Sequence, residues 1–323
     1  MAEIISKRHS IKFYLALVII CLLFLLMATL FLNGFLEQRS NNYLYPKDYL
    51  LLVLSILAYC SVPYFIYAQF KNAPIIKVNA HSITINREEL FWSDMVEIEL
   101  VGKRKVPSII GKDYAESAAF SFKNGTTKVI FDDMYANTWE IKSFIQMVII
   151  DKKPFSTSPN TFIDKDKPSL DFFDTFKGNQ LTSFRGILLW AFIIFINLKF
   201  FIFTSPLNLK GLPYITGFSV VFFMLFSYQM YYFEVSDNYL VIRNHNFFWI
   251  RKAYRIDQLK EIVFETKGKL PNCLRVITKD FKYNFFPACT LHNEDWLAFK
   301  NKLETYHIKV RNECIPDPTA SSD

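Results

Sequence analysis

Apolar and polar positions divide this chain into four long runs and two patterned stretches. Phe13 to Leu36 and Tyr49 to Phe70 contain no charged residue. At about 1.5 Å of helix rise per residue, either run can cross a hydrocarbon core of about 30 Å, which takes roughly 20 apolar residues. The arrangement recurs at Gly186 to Leu198, extended through Lys199 to Thr204, and at Gly211 to Phe233. The reading is an α-helical membrane protein with four transmembrane helices in two hairpins. Lys7, Arg8 and Lys12 precede the first run, but that run is longer than a signal-peptide core and ends on Asn33-Gly34-Phe35-Leu36, a poor cleavage site. It is read as a retained span.

Each hairpin is followed by strand patterning. Ile76 to Val78, Ile83 to Ile85 and Met95 to Leu100 alternate in the period of half-buried strands, and Ala119 to Phe131 reads as a hairpin turning at Asn124-Gly125, with both residues at positive φ. Asn137, with Glu140 three residues on, is expected to cap a helix whose stripe is Ile141, Phe144, Ile145, Val148 and Ile149. In the second copy, Phe233 to Ile242 reads as strand, turn, strand, Leu274 to Phe286 turns at Lys279-Asp280, and Asn293 is expected to cap a helix with Trp296, Phe299, Leu303 and Tyr306 inward. Ile85 and Ile242 differ by 157 positions, Asp94 and Asp257 by 163, Phe122 and Thr278 by 156, and Trp139 and Trp296 by 157. An internal duplication follows from that order. The expected organisation is an N-terminus over 1–12, hairpin over 13–70, soluble domain over 71–150, linker over 151–183, hairpin over 184–233, soluble domain over 234–308 and disordered tail over 309–323. Within the linker, Leu170, Phe172, Phe173 and Phe176 fit an interfacial helix or a loosely docked segment.

Strands after a span, one tight hairpin and a closing amphipathic helix follow the order of a pleckstrin-homology-like domain. The chain resembles the bacterial pleckstrin-homology-type membrane proteins, in which a two-span hairpin precedes each such domain. The resemblance rests on Phe233 to Arg243, Tyr254 to Ile262 and the Trp296 helix, and on Ile83 to Ile85, Phe91 to Ile98 and the Trp139 helix. It implies two α+β, barrel-like soluble domains and carries no shared catalytic residues.

Charge adds an orientation. The balance is +7, from 37 Lys and Arg against 30 Asp and Glu. Basic residues flank the soluble sides (Lys7, Arg8, Lys12, Lys71, Lys77, then Lys177, Arg185, Arg243, Arg251, Lys252 and Arg255), against Arg39 and Lys47, then Lys199 and Lys210, at the hairpin turns. The positive-inside bias puts both domains and both termini on the cytoplasmic face of the plasma (inner) membrane, and charge beside a bilayer needs no nucleic acid to explain it. Lys199 reads as a snorkelling lysine near a span end.

Chemistry is sparse. The nine glycines form no phosphate loop, the five histidines no metal motif, and the five cysteines neither a zinc spacing nor a disulfide framework. No catalytic residue, cofactor or metal is expected. The candidate membrane-surface or partner patch is Lys103, Arg104 and Lys105 together with Phe247, Phe248, Trp249, Arg251 and Lys252; Lys267 and Lys269 form a further basic loop. The expected function is a non-catalytic membrane scaffold that contacts lipid and binds itself or a protein partner; the alternative is an auxiliary subunit of an export or transport system.

Overall fold

Among the described residues, three helices are long and apolar enough to cross a membrane: Ser10–Ser40, Asp48–Asn72 and Phe184–Ile202. A fourth apolar helix, Leu212–Ser227, has 16 residues. The computed structural model describes residues 3–40, 45–46, 48–106, 114–156, 171–203, 211–268 and 270–316. Lys47, Leu170, Lys210 and Lys269 lie outside the described residues, as does the stretch 107–113. The chain divides into two units, Met1–Thr157 and Ser158–Asp323.

The first unit begins with a strand where a free N-terminus is expected. Strand β1 (Ile4–Ile5) is followed by a π-helical turn at Ser10–Leu15, α1 (Ala16–Ser40) and α2 (Asp48–Asn72). The chain then returns as β2 (Ile76–Val78), which pairs antiparallel with β1, Ile4 opposite Val78. The helical hairpin is thus inserted between two neighbouring strands of one sheet. Its helices meet through ring contacts, Phe24 with Phe65 and Phe35 with Tyr49, and through Ser55 Oγ donating to Ala28 O at 2.9 Å. Leu22, Leu26, Leu30 and Leu57 are exposed, as lipid-facing side chains would be.

The sheet continues through β3 (Ser82–Ile85) and β4 (Glu88–Phe91). These two join at Asn86-Arg87, both at positive φ, a two-residue hairpin loop of the kind that follows strand twist. A second sheet contains β5 (Met95–Glu99), β6 (Lys103–Lys105), β7 (Tyr114–Phe122) and β8 (Thr127–Phe131), with β5, β6 and β8 all pairing with β7. The β7–β8 turn departs from the two-residue form. Gly125 N donates to Phe122 O, and only Gly125 of the Asn-Gly pair has positive φ (78°), leaving Asn124 free to accept from Thr126 N.

Helix α3 (Thr138–Phe144) runs on into a π-helical turn at Ile145–Ile150 and buries Ile141, Phe144, Ile145 and Ile149. Asn137 does not cap it by its side chain. Asn137 Oδ1 accepts from Lys7 N at 2.7 Å and its Nδ2 donates to Ile5 O at 2.9 Å, so the amide ties the start of the chain to the helix entry. Asp132 and Asp133 point apart, Asp132 to buried Lys142 at 2.6 Å and Asp133 to Lys12 at 2.5 Å.

In the second unit β9 (Asp174–Phe176) precedes α4 (Phe184–Phe203) and α5 (Leu212–Ser227), and β10 (Tyr231–Val235) returns to pair antiparallel with β9, Phe176 opposite Phe233. The end of the expected linker is therefore sheet, not interfacial helix, and Phe176 packs on Phe299 at 5.1 Å while Phe172 stays exposed. The apolar run to Phe233 divides at Ser227, because Tyr231, Phe233 and Val235 alternate inward as a strand. Phe192 stacks on Phe222 at 3.9 Å between α4 and α5, and Asn197 Nδ2 donates to Ser219 Oγ at 3.2 Å.

Sheet β9–β12 is completed by β11 (Tyr239–Asn244) and β12 (Arg251–Arg255). The other sheet contains β13 (Leu259–Thr266), β14 (Asn272–Thr278), β15 (Tyr283–Pro287) and, beyond helix α6 (Asn293–Thr305), β16 (Lys309–Asn312). β16 runs parallel to β13, so the expected tail begins as a strand. The core holds Phe233, Leu240, Ile262, Phe264, Leu274 and Val276 from both sheets, closed by Trp296, Phe299 and Leu303 of α6. The N-cap of α6 is His292, one residue before the expected Asn293, and its N–H donates to Asp295 Oδ2 at 2.9 Å.

Candidate membrane-facing patch

The loop between β11 and β12 is built by asparagines that sequence reasoning passed over. Asn244 Oδ1 accepts from the N–H groups of Asn246 and Phe247, each at 3.0 Å, which turns the chain sharply out of the strand. Its Nδ2 donates to Ser227 O at 2.7 Å, satisfying a carbonyl at the end of α5, where helical partners run out. Asn246 Nδ2 donates to Ser227 Oγ at 2.7 Å, and His245 N to Met230 O at 3.0 Å. The loop is therefore stitched to the C-terminal end of an apolar helix. The legible signal was Asn-His-Asn at a strand end, a spacing suited to side-chain turns.

Three aromatics follow. The Phe247 ring meets Phe223 of α5 at 6.3 Å, one turn above Ser227, and Trp249 at 5.3 Å. Phe248 meets Trp249 at 5.0 Å, edge to face. Phe248 is 85% exposed and Trp249 67%. Leu181 and Phe184, at the entry to α4, and Tyr228, just past α5, are also exposed apolar side chains.

The basic members of the expected patch separate. Strand alternation sends Arg251 and Lys252 to opposite faces of β12. Lys252 sits opposite core residue Ile242, with its ammonium 5.3 Å from the Phe286 ring and 3.3 Å from Asn284 Oδ1; burial of that amine lowers its pKa. Arg251 is half-buried opposite Arg243, which pairs with Glu234 at 2.8 Å. Lys103, Arg104 and Lys105 belong to β6 of the other unit, where Arg104 pairs with Glu99. The structure thus brings together Phe247, Phe248 and Trp249 with Arg251 at their root. It does not bring Lys252 to them.

Beside the loop, Lys177, Gly178, Asn179, Gln180, Leu181 and His245 line an open concavity of about 400 Å³. A Cβ on Gly178 would lie 1.7 Å from Thr290 O, so only glycine fits where this segment crosses the loop before α6. His245 Nε2 lies 3.2 Å from Thr290 Oγ1, and burial with the nearby Lys177 charge pushes the imidazole pKa down to about 4. A second concavity, of about 570 Å³, is lined by Asp171, Asp237, Asn238, Tyr239, Arg255, Ile256 and Asp257. There Arg255 Nη2 pairs with Asp257 at 2.7 Å, and Asp171 accepts from Ser236 Oγ at 2.7 Å. Among the described residues no group of three or more His, Cys, Asp or Glu is arranged to hold a metal ion. Comparison with protein-family models finds no match to this chain, and comparison with curated proteins finds none.

Proposed function

We propose that the chain is an integral membrane scaffold, with four spans in two hairpins and two pleckstrin-homology-like domains on the cytoplasmic face, produced by internal duplication and acting by binding instead of catalysis. One observation carries this reading: in each unit an apolar helix pair is inserted between adjacent antiparallel strands, β1 with β2 and β9 with β10. A domain whose sheet is closed around its own hairpin is held at the bilayer by two chain connections, which suits presentation of a binding surface there.

Matching details support the duplication. A short 3-10 turn lies between the fourth and fifth strands of each unit, Trp92–Asp94 and Ile256–Gln258. Lys123 N donates to Asp94 O and Lys279 N to Gln258 O, both at 2.8 Å. A bulge follows at Met95/Glu97 and at Leu259/Glu261. These equate Asp94 with Gln258, one position from the sequence offset. Taking α5 as the fourth span uses a helix of about 24 Å at 1.5 Å per residue, a mismatch that local bilayer thinning absorbs.

The hydroxyl–imidazole contact of His245 and Thr290 argues against acyl-transfer chemistry there, since Thr290 is 1% exposed and its partner imidazole is a weak base. Purification of the full chain in mild detergent tests the scaffold. Recovery as a homo-oligomer or with a non-transporting partner is the expected outcome. Stoichiometric recovery with an ATP-driven exporter would replace the scaffold with the auxiliary-subunit reading.

A further inference from the structure

We propose that Phe248 and Trp249 are embedded in the interfacial layer of the bilayer that holds α4 and α5, so that the second barrel rests on the lipid surface through its β11–β12 loop. This rests on the reading of α4 and α5 as spans. Phe247 continues the apolar surface of α5 through its contact with Phe223, a full turn inside the helix end at Ser227. The next two side chains are therefore carried beside the level at which the helix leaves the hydrocarbon.

Both are large, and both are exposed, at 85% and 67%. A soluble surface gains nothing from an isolated Phe-Trp pair held out by a loop with three hydrogen bonds to α5 and its exit. At the headgroup layer the same pair has a partner, since Trp and other aromatics favour that zone. The exposed Leu181, Phe184 and Tyr228, at the corresponding ends of α4 and α5, extend the belt. Lys252 is turned toward Phe286 and Arg251 at the root of the loop is half-buried, so the exposed tip is aromatic and attraction is by aromatic partitioning. The occupant is a lipid surface irrespective of its charge.

Tryptophan fluorescence tests this on the full chain in lipid nanodiscs. The five tryptophans include Trp190 in α4, an internal control, and W249F isolates the Trp249 contribution by difference. With lipids brominated along the acyl chain, Trp249 emission should be lost, and it should resist quenching by aqueous acrylamide. The loss should be equal in neutral and anionic lipids and unchanged by added salt. Trp249 emission that survives brominated lipid and yields to acrylamide would overturn the inference. So would emission shielded from both, which would mean that protein covers the loop, or a loss that requires anionic lipid. If the inference fails while Trp190 is still quenched, the hairpin remains embedded and only the loop contact is wrong. If Trp190 also survives brominated lipid, the membrane reading fails with it.

Discussion

The indole of Trp296 is wholly buried among Phe233, Phe264 and Phe299, with ring centroids 5.5, 4.8 and 6.4 Å away. It fills the centre of the second core, so Trp296→Ala should cost about 3 to 5 kcal/mol, by lost burial plus the cavity left behind. Its Nε1 is buried without a hydrogen-bond partner among the described residues, a standing penalty, so Trp296→Phe should cost markedly less than Trp296→Ala. Trp139 stands at the matching sequence position yet is half-buried. The reason is register: Trp139 is the second residue of α3, whereas Trp296 is the fourth of α6, and the inward face of α3 is Thr138, Ile141, Lys142 and Phe144. Trp139→Ala should therefore be the milder change of the two. Thermal unfolding in detergent, followed by protease resistance of the soluble part, measures all three variants. Equal losses for the two alanine variants would refute the assignment of Trp296 alone to the core.

At the scale of elements, long periodic segments were legible and short pairings were not. The apolar runs, the alternation of Ile76, Val78, Ile83 and Ile85, and the stripes of the two closing helices can be read from spacing because each repeats within its own stretch, whereas the strand at Tyr231 was hidden at the end of an apolar run. β1, β9 and β16 have two, three and four residues, too few to show a period, and each gains its partner from far along the chain. The candidate patch divides along the same line. Phe247 to Trp249 were legible as a contiguous aromatic run, whereas the Asn244 and Asn246 bonds to Ser227, and the turning of Lys252 to Phe286, depend on tertiary placement. Asn137 is the N-cap residue, as its spacing to Glu140 suggests, and its Nδ2 lies 3.3 Å from Glu140 Oε2, but its Oδ1 accepts from Lys7 N instead of from the helix and its Nδ2 also donates to Ile5 O. Asn137→Ala removes both bonds and leaves two part-buried backbone groups unpaired, a cost of about 1 to 3 kcal/mol for each fully desolvated group. Hydrogen exchange should accelerate at Lys7 and along β1 while α6 is unaffected. Unchanged protection at Lys7 would show that the amide does not hold the chain start.

For the whole molecule the decisive quantity is which side of the membrane the sheets occupy. Each helix pair leaves from one strand and returns to its neighbour, so both ends of a hairpin lie on the sheet side and parity alone cannot choose a face. Charge chooses it. At the sheet side of the first hairpin stand Lys7, Arg8, Lys12 and Lys71, against Arg39 at the far end of α1. Part of this charge is locked at the border: Arg8 lies 4.8 Å from the Phe70 ring and donates to Ala73 O, and Lys12 pairs with Asp133. Lys177 and Arg185 flank the sheet side of the second hairpin. Lys199 lies towards the other end of α4, with its amine 5.6 Å from the Phe195 ring. Lys and Arg near span ends are retained on the cytoplasmic side. A reporter active only in the cytoplasm should therefore work when fused after Asp323 or within 151–183, and fail when inserted between Glu37 and Lys47. Moving the asymmetry should move the protein: adding three or four lysines to the 37–47 turn while replacing Lys7, Lys12 and Lys71 with Gln should raise reporter activity at the turn. Activity at the turn in the unaltered chain would place both sheets on the opposite face and remove the cytoplasmic scaffold with them.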